Sequence, residues 1–458
     1  MDSFVSLQKV FNRFPLPVLT PVPEDVMISG VTSDSRQVQP GSLFVAISGG
    51  NTDGHRYISD AVQRGAAAIA GEREIENLPV PYIRISNSRQ GLAYLAAGFY
   101  DYPAHRMLMI GVTGTDGKTT TTNMIYEILR EAGLKAGMIS TINAVIGSEL
   151  LDTGFHVTTP DAPDVQRYLA QMEAAGLTHV VLETTSHGWA QYRVDACEFD
   201  IGAVTNITHE HLDFHHTYEA YRAAKGRLFT GLAETPEKEG NPPRVAVLNR
   251  DDISYEYLAG VTNVRQIAYG LQPGADVKAE NIRHEPGGLR FDADGPGFYF
   301  PVEMSLYGDF NVSNSLAAIS VTAAGMGLDP EPIQAALAKL KGVPGRMERI
   351  ELGQDFLAIV DFAHTPNALV NSLKAARLLA KNRVIAIFGA AGLRDRLKRR
   401  MMAEVSAEYA DLTVLTAEDP RTESLDDILS EMAAGMLTKG GVEGQNFWRI
   451  PDRGEALR

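Results

Sequence analysis

The stretch that decides the fold of this chain is a glycine-rich turn, Thr113-Gly114-Thr115-Asp116-Gly117-Lys118-Thr119-Thr120. It follows the apolar run 107–112, which predicts a buried strand, and it precedes the segment 123–129, whose apolar residues have helical spacing. Glycines let backbone N–H groups converge on an anion, and the helix N-terminus adds partial positive charge. Lys118 can reach outer phosphates, and the Thr119 hydroxyl can hold Mg²⁺. The stretch therefore predicts nucleotide binding.

The alternative is an ordinary turn between a strand and a helix. The usual phosphate-loop spacing places glycine at position 112, where this chain has Val112. A glycine-rich turn after a strand is a weak signal alone, but the Gly-Lys-Thr-Thr that follows favours a phosphate loop.

The composition bounds the class of protein. At 458 residues, with 44% hydrophobic and 22% charged residues, the chain is too long for one ordinary core. Its net charge of −15 argues against a nucleic-acid partner or an anionic membrane surface. Cys197 is the one cysteine, which fits a reducing cytoplasm. Since no signal-peptide pattern or membrane-span run is present, we expect a cytoplasmic protein without membrane insertion, acting as a monomer.

The chain divides into three α/β domains at two candidate linkers. We predict domains at residues 1–103, 104–341 and 342–458. In the central one, buried strands alternate with helical segments, which predicts a mostly parallel sheet. Three of these strands end near Glu183, Asn206 and Asn249. Ligands bind outside the carboxyl ends of such strands, so these polar residues are candidates for a site.

Three segments after the phosphate loop have two interpretations each. Thr158-Thr159-Pro160 precedes a helical pattern, so it is either part of a site or an N-cap with proline at the first helical position. Glu183 is placed for Mg²⁺ or is an ordinary loop acid. The histidine-rich segment 206–216 suggests a cation or phosphate site, and zinc is disfavoured because no spaced Cys/His framework is present.

A lysine lies on an apolar helix face. Read as a helix, the segment 218–229 places Tyr218, Tyr221, Lys225 and Leu228 on one face. A buried lysine is unfavourable unless its charge is paired or chemically altered. The alternative is a lysine whose ammonium group reaches solvent at the rim.

These segments, in this order, resemble the Mur ligase family of ATP-dependent amide-bond ligases along nearly the whole chain. The resemblance is to members that add a diamino acid to UDP-N-acetylmuramoyl-L-alanyl-D-glutamate in peptidoglycan precursor synthesis. It implies a small uridine-nucleotide domain, a central P-loop ATPase-like domain and a C-terminal Rossmann-like domain. It also implies an acyl-phosphate intermediate, with ATP, the UDP-muramoyl dipeptide and the diamino acid as substrates and Mg²⁺ as cofactor.

The resemblance implies a role for each matching residue. The expected catalytic residues are Lys118, Glu183, His211 and Lys225. The expected metal ligands are Thr119, Glu183, His211 and a carbamylated Lys225. The expected ATP-binding residues are Gly114, Thr115, Asp116, Gly117, Lys118, Thr119, Thr120, Asn311, Asn314 and Arg346, with 249–252 as a further nucleotide-base segment. The expected UDP-sugar residues are Ser33, Ser35, Arg36, Asp53, His55, Thr158, Thr159, Ser186 and Arg193. The expected amino-acid residues are Glu418, Asp419, Arg421 and Arg394, the last in a basic segment, 394–399, expected to face phosphate.

Two departures from the family pattern leave alternatives open. The diaminopimelate selector of the family usually reads Asp-Asn-Pro-Arg, whereas residues 418–421 read Glu-Asp-Pro-Arg. Arg421 suits a substrate carboxylate, so diaminopimelate is favoured, and lysine or ornithine stays open. The chain ends at Arg458 within a predicted helix, so we expect an incomplete C-terminal domain. The alternatives in function are a folylpolyglutamate or cyanophycin type of ligase, or a non-catalytic nucleotide-binding relative.

Overall fold

The computed structural model describes residues 4–49, 53–152, 159–208, 210, 212–285 and 287–458. The predicted roles of Thr158 and His211 therefore lie outside the described residues. No helix within the described ranges is long and apolar enough to cross a bilayer.

The N-terminal unit is built on a parallel sheet. Its strands are β1 (Val5–Ser6), β2 (Met27–Ile28), β3 (Gly30–Thr32), β4 (Ser42–Val45), β5 (Ala68–Gly71) and β6 (Tyr82–Arg84), and its helices are α1 (Leu7–Phe11), α2 (Ile58–Gln63) and α3 (Ser88–Phe99). Strands β3-β4-β5-β6 pair in that order, all parallel, and β1 pairs with β2. Single 3₁₀ turns lie at Ser35–Gln37, Gly54–Tyr57 and Pro103–Arg106.

The central unit contains the largest sheet. Its strands are β7 (Leu108–Thr113), β8 (Ala136–Ile139), β9 (Asn143–Ile146), β10 (Glu149–Asp152), β11 (His179–Glu183), β12 (Ile201–Val204), β13 (Val245–Asn249), β14 (Arg265–Gly270), β15 (Val277–Glu285), β16 (Gly288–Gly295) and β17 (Phe298–Met304). Its helices are α4 (Lys118–Glu131), α5 (Ala162–Ala174), α6 (Ser186–Ala190), α7 (Leu212–His215), α8 (Tyr218–Gly231), α9 (Tyr255–Val261), α10 (Asp309–Ile319), a π-helical continuation (Ser320–Gly325) and α11 (Pro330–Lys339).

The order of this sheet puts the phosphate-loop strand in the middle. The strands lie in the order β10-β9-β8-β11-β7-β12-β13-β14-β15-β16-β17, with parallel pairing from β8 to β15 and antiparallel hairpins at both edges. Helices α4, α10 and α11 cover one face, and α5 and α8 cover the other. Because both faces are covered, the central strands are apolar throughout, as the sequence predicted.

The C-terminal unit carries a smaller parallel sheet. Its strands are β18 (Glu348–Ile350), β19 (Ala358–Val360), β20 (Ile385–Phe388), β21 (Leu412–Leu415) and β22 (Phe447–Arg449), and its helices are α12 (Pro366–Leu379), α13 (Arg396–Tyr409), α14 (Leu425–Thr438) and α15 (Arg453–Leu457). Strands β20-β21-β22 pair in parallel, and β18-β19 form a separate antiparallel pair. The predicted α/β class with a mostly parallel central sheet is confirmed, whereas the exact domain boundaries stay a prediction.

One of the two interpretations of Thr158-Thr159-Pro160 is excluded. Thr159 does not cap a helix that starts at Pro160, because α5 begins at Ala162 after Asp161. Pro163 lies in the first turn of α5, a position that proline favours. Thr159 is thereby left free of the helix, and its hydroxyl contacts the loop after β11 instead.

Candidate active site

The phosphate loop joins β7 to α4 through two glycines with positive φ. Gly114 has φ +149° and Gly117 has φ +82°. A Cβ on Gly114 would overlap the Thr205 hydroxyl, and one on Gly117 would overlap the Asn314 side-chain oxygen. Both positions therefore require glycine for backbone conformation and for close approach. The loop is packed against the ends of β12 and α10 rather than being a free turn.

Gly117→Ala is expected to weaken ATP binding by about tenfold or more, because the added methyl must displace Asn314 at the mouth of the loop. Calorimetric titration with a non-hydrolysable ATP analogue measures the change. Gly133→Ala is the matched control, since Gly133 has φ +75° but no atom near its Cβ position. Equal effects of the two substitutions would show that backbone strain, and not the contact with Asn314, is responsible.

Side chains beyond the loop hold it in shape. Asn206 accepts a hydrogen bond from the Asp116 N–H at 3.0 Å and donates one to the Asp116 carbonyl at 3.1 Å. Asn249 donates to the Thr205 carbonyl, and Asp252 accepts from the Ile207 N–H at 3.2 Å. The segment 249–252 was expected to contact the nucleotide base. In the structure Asn249 and Asp252 fix the loop after β12, which in turn fixes the phosphate loop, and contact with the base stays a prediction.

A buried carboxylate lies at the base of the loop. Glu183, the last residue of β11, is 1% exposed. Its Oε1 accepts hydrogen bonds from the hydroxyls of Thr119 at 3.2 Å and Thr141 at 2.9 Å. Its Oε2 accepts from the Thr141 N–H at 3.0 Å. A solvated loop acid would not be buried in this way, so that interpretation of Glu183 is wrong. The carboxylate and hydroxyl oxygens are ligands that Mg²⁺ prefers.

Lys225 is buried beneath the phosphate loop. It lies on α8 at 2% exposure, donates a hydrogen bond to the Gly114 carbonyl, and has its Nζ 4.7 Å from the centre of the Tyr221 ring. Burial, and next the nearby Lys118 ammonium, hold the pKa of Lys225 well below its usual value. The interpretation of a lysine that reaches solvent is wrong. A neutral amine is the form that reacts with CO₂, so the environment favours carbamate formation.

Lys118, which belongs to the phosphate loop itself, points back at the backbone of that loop. Lys118 Nζ donates to the Thr115 carbonyl at 2.7 Å, at the N-terminus of α4. The Thr115 hydroxyl contacts the Tyr221 hydroxyl at 2.9 Å, which links the loop to α8. Among the described side chains, no group of three or more His, Cys, Asp and Glu residues could hold a metal ion by itself. Any Mg²⁺ here would need oxygen ligands from outside that set, such as phosphates.

A cleft opens between the phosphate loop and the C-terminal unit. It is lined by Asp116, Gly117, Thr119, Thr120, Asn311, Asn314, Arg346, Asp361, Phe362, His364 and neighbouring residues. Arg346 Nη2 donates to the Thr119 hydroxyl at 3.1 Å, and its guanidinium lies 4.8 Å from the centre of the Phe362 ring. Asn314 donates to Asn311 at 3.2 Å. Seven of the ten residues predicted to bind ATP thus line this cleft, and Gly114, Thr115 and Lys118 belong to the same loop but are not in its lining.

The C-terminal unit also touches the phosphate loop directly. Thr365 donates to Asp116 Oδ1 at 3.3 Å, and Asn367 donates to Asp116 Oδ2 at 3.2 Å. Thr365 also caps α12 by accepting from the Ala368 N–H at 3.0 Å. The sequence analysis missed both contacts. A Thr-Pro pair signals a helix start, but nothing in it signals a contact with a loop some 250 residues away.

The N-terminal unit contains a separate cavity of about 570 Å³. It is lined by Ser33, Asp34, Ser35, Arg36, Ile47, Gly49, Gly54, Tyr57, Asp60, Arg64 and Arg89. Of the predicted UDP-sugar residues, Ser33, Ser35 and Arg36 are in this lining. Arg64 and Arg89 were not predicted, because isolated arginines carry no motif. Arg36 pairs with Asp34 at 2.8 Å, and the guanidinium groups of Arg64 and Arg89 in the same lining suit an anionic ligand such as a diphosphate.

Asp53 and His55 lie behind that cavity rather than in its lining. His55 Nδ1 is 2.9 Å from Asp53 Oδ1, and His55 Nε2 accepts from the Glu72 N–H at 3.3 Å. Asp53 also pairs with Arg73 at 2.6 Å. Both ring nitrogens of His55 are thus engaged by protein groups. The two residues hold the turn that presents Gly54 to the cavity, so a direct role in ligand contact is not supported by this geometry.

Three further predicted UDP-sugar residues that the structure describes, Thr159, Ser186 and Arg193, cluster near the end of β11. Thr159 accepts from the Thr185 N–H at 3.1 Å, and Arg193 donates to the Thr159 carbonyl at 2.7 Å. Ser186 is 1% exposed, and its hydroxyl has no hydrogen-bond partner among the described residues. A buried hydroxyl in that state is suited to a ligand group. The Thr159 hydroxyl also donates to the Glu183 carbonyl at 3.4 Å, so this cluster adjoins Glu183 in space.

The predicted amino-acid residues lie at the carboxyl edge of the smaller sheet. Arg394 follows β20, and residues 418–421 follow the adjacent parallel strand β21. Arg421 has φ +51°, and its Nε is 3.6 Å from Asp419 Oδ2. Arg394 and Glu418 are exposed. The carboxyl ends of neighbouring parallel strands are the usual position of a ligand site.

Arginines of the basic segment 394–399 are paired with carboxylates. Arg399 is 1% exposed and pairs with Glu423 at 2.6 Å and Glu431 at 2.9 Å. Arg396 also pairs with Glu431. The expectation that the segment faces phosphate is wrong for Arg399, because the carboxylates of Glu423 and Glu431 neutralise it.

Three family models match this chain. The Mur ligase family catalytic domain matches residues 27–100, the Mur ligase middle domain matches 112–322, and the Mur ligase glutamate ligase domain matches 345–458. The matched segments follow the order of the three units described above.

Curated proteins and a solved structure are similar over nearly the full chain. A UDP-N-acetylmuramyl-tripeptide synthetase of Roseiflexus sp. (strain RS-1) is 43% identical, covering 99% of this chain and 90% of its own length. A UDP-N-acetylmuramoyl-L-alanyl-D-glutamate–2,6-diaminopimelate ligase of Geobacillus kaustophilus is 43% identical, covering 94% and 86%. A solved structure of a ligase with that same name superposes with a TM-score of 0.71 at 30% identity, covering 99% and 90%. The chain belongs to the Mur ligase family.

Proposed function

We propose that this chain is an ATP-dependent ligase that joins 2,6-diaminopimelate to UDP-N-acetylmuramoyl-L-alanyl-D-glutamate. The observation that carries the proposal is the buried arrangement of Thr119, Glu183 and Lys225 around one phosphate loop, in a chain with 43% identity to a ligase of that name. The reaction belongs to peptidoglycan precursor synthesis, and we place it in the cytoplasm. That the chain acts as a monomer stays a prediction.

The proposed reaction has two steps. The side-chain carboxylate of the D-glutamate attacks the γ-phosphorus of ATP, the bond to the β-phosphate oxygen breaks, and ADP leaves. The amine of diaminopimelate then attacks the carbonyl carbon of the acyl phosphate, loses a proton, and phosphate departs. A carboxylate is a poor electrophile because hydroxide is a poor leaving group, and phosphorylation removes that obstacle. The protein contributes mainly positioning and charge neutralisation.

The residues of the phosphate loop hold the triphosphate. The N–H groups of Lys118 and Thr119 lie in the first turn of α4, where a helix leaves such donors without an intrahelical partner, and Lys118 can swing from the Thr115 carbonyl to the outer phosphates. Arg346 reaches the Thr119 hydroxyl from the C-terminal unit, so it can contact the phosphates only while the two units face each other across the cleft. Asn311 and Asn314 border the same cleft.

The residues present also fit Mg²⁺. Thr119 and Glu183 present oxygen ligands 3.2 Å apart, and Mg²⁺ usually takes one or two carboxylates together with substrate phosphates and water. When bound, the ion would neutralise charge on the transferred phosphoryl group. Carbamylation would turn Lys225 from a buried amine into an anion, which would remove the cost of burying an ammonium group beside Lys118.

Arg421 is proposed to select an amino acid with a distal carboxylate. Arg421→Ala should lower kcat/KM for diaminopimelate by about a hundredfold, because the loss of a charged hydrogen bond costs a few kcal/mol, and should leave the weaker reaction with lysine nearly unchanged. Phosphate release with each amino acid measures both values. Arg400→Ala is the control, since Arg400 is exposed on α13 and pairs with Glu404 at 2.8 Å.

The same experiment tests the choice of substrate. Asp419 lies close enough to Arg421 to neutralise it, and an acid in that position could instead receive the distal ammonium of lysine or ornithine. Faster turnover of the unaltered protein with lysine or ornithine than with diaminopimelate would contradict the choice. Arg421→Ala should in that case leave the preferred reaction nearly unchanged.

A further inference from the structure

Two loops form the edge where the amino-acid residues lie, and they are joined by backbone contacts. The first loop follows β20 and carries Arg394, and the second follows β21 and carries Arg421. The Gly392 N–H donates to the Asp419 carbonyl at 2.8 Å. A Cβ on Gly392 would overlap the Pro420 carbonyl, so the two backbones are at their closest approach there. Backbone contacts close to both arginines thus help to set the relative position of the loops, together with those of Gly389 and Thr416 at the strand ends.

Arg399 supplies the side-chain link between these loops. Arg399 lies on α13, and its Nη1 and Nη2 form a bidentate salt bridge with Glu423 at 2.8 and 2.6 Å. Its Nη2 also donates to the Ala391 carbonyl of the first loop at 3.2 Å. Glu423, on the second loop, also accepts a hydrogen bond from the Leu393 N–H of the first loop at 2.8 Å. One buried guanidinium therefore contacts both loops.

Arg399 is also held by a carboxylate on helix α14. Arg399 Nη1 donates to Glu431 on α14 at 2.9 Å, and Arg396 pairs with the other oxygen of Glu431. The hydrogen bond from Arg399 is the main cause that lowers the pKa of Glu423 to about 2, so the pair stays ionised at any working pH. A planar guanidinium can satisfy these partners at once, whereas an ammonium group of lysine lacks the fork geometry.

We propose that Arg399 is a positioning residue for the amino-acid subsite: by clamping the loops after β20 and β21, it sets the spacing between Arg394 and Arg421. This inference rests on the proposed function. Arg399 is fully buried and lies behind the loops, so it acts through them and not on the substrate. A displacement of either arginine by about 1 Å is enough to change reaction rates strongly.

The test compares Arg399→Lys and Glu423→Gln with the unaltered protein. Glu423→Gln keeps an acceptor for the Leu393 N–H but removes the charge pair. Each variant should raise KM for diaminopimelate about tenfold and lower the preference for diaminopimelate over lysine about tenfold. KM for ATP and for the UDP-muramoyl dipeptide should change by less than about twofold. Arg400→Lys, on the same helix, is the matched control.

The outcomes separate a positioning role from a merely structural one. A lower melting temperature with unchanged KM values and unchanged amino-acid preference would overturn the inference and leave the proposed function intact. A uniform loss of kcat with all three substrates would overturn it as well. If the unaltered protein does not ligate diaminopimelate, the proposed function falls, and this inference falls with it.

Discussion

Replacing Lys225 with alanine is expected to lower the rate of ligation by about a thousandfold or more, because it would remove the negative charge of the carbamate that we propose forms on the buried amine. Lys225 touches the phosphate loop at the Gly114 carbonyl and lies beside Lys118 and Glu183. Phosphate release at saturating substrate concentrations measures the effect. Short carboxylic acids such as formate or acetate should restore part of the activity, since they can occupy the space of the missing carbamate.

Two observations control this experiment. Lys135→Ala removes an exposed lysine after α4 and should leave the rate unchanged. The unaltered protein, exposed to ¹³C-labelled CO₂, should show a carbamate carbon signal by NMR that the Lys225→Ala variant lacks. Normal turnover in the alanine variant, or an unmodified Lys225 in a fully active protein, would contradict the proposed role.

Replacing Lys118 with alanine is expected to lower acyl-phosphate formation by about a hundredfold to a thousandfold, because the ammonium group neutralises charge on the outer phosphates of ATP. Binding of the UDP-muramoyl dipeptide, measured by calorimetry, should change little. The cavity at Ser33, Arg36, Arg64 and Arg89 lies in the N-terminal unit, and Lys118 is not part of its lining.

This second prediction also tests how the sites are divided between the units. A large loss of dipeptide binding in Lys118→Ala would show that the uridine nucleotide does not occupy the N-terminal cavity. Arg89→Ala is the complementary variant and should weaken dipeptide binding by about tenfold or more while ATP binding is retained.

Local patterns predicted the parts of the site that lie on single elements. The phosphate loop follows from glycines placed between a strand and a helix, and the burial of Lys225 follows from its spacing with Tyr221 and Leu228 on α8. Periodicity carries such information because a helix face is determined by residues three and four apart. Of the two interpretations of the threonines before Pro160, the structure excludes an N-cap at Thr159, because α5 begins at Ala162 with Pro163 in its first turn.

Contacts between distant segments could not be predicted in the same way. Arg399 meets Glu423 and Glu431 at separations of 24 and 32 residues, and each of these residues alone has the pattern of an exposed helix or loop charge. Arg64 directly follows α2 and Arg89 lies in the first turn of α3, and only the fold brings both into the lining of one cavity. Asp53 and His55 belong to a recognisable segment, but only the structure shows that they contact each other.

The structure and the similar proteins argue against the two alternative functions. A folylpolyglutamate or cyanophycin type of ligase would not need the N-terminal cavity with its arginines, and the similar curated proteins carry names of a different activity. A non-catalytic relative would have no need of a buried carboxylate and a buried lysine around the phosphate loop. Burying such groups costs free energy, which is typical of residues that function in catalysis.

The most direct test is the release of phosphate from ATP by the unaltered protein, with each substrate left out in turn. The account predicts phosphate release only when ATP, UDP-N-acetylmuramoyl-L-alanyl-D-glutamate and diaminopimelate are all present, together with a product whose mass equals the dipeptide plus diaminopimelate less water. Phosphate release that does not depend on the UDP-muramoyl dipeptide, or no ligated product with any diamino acid, would contradict it.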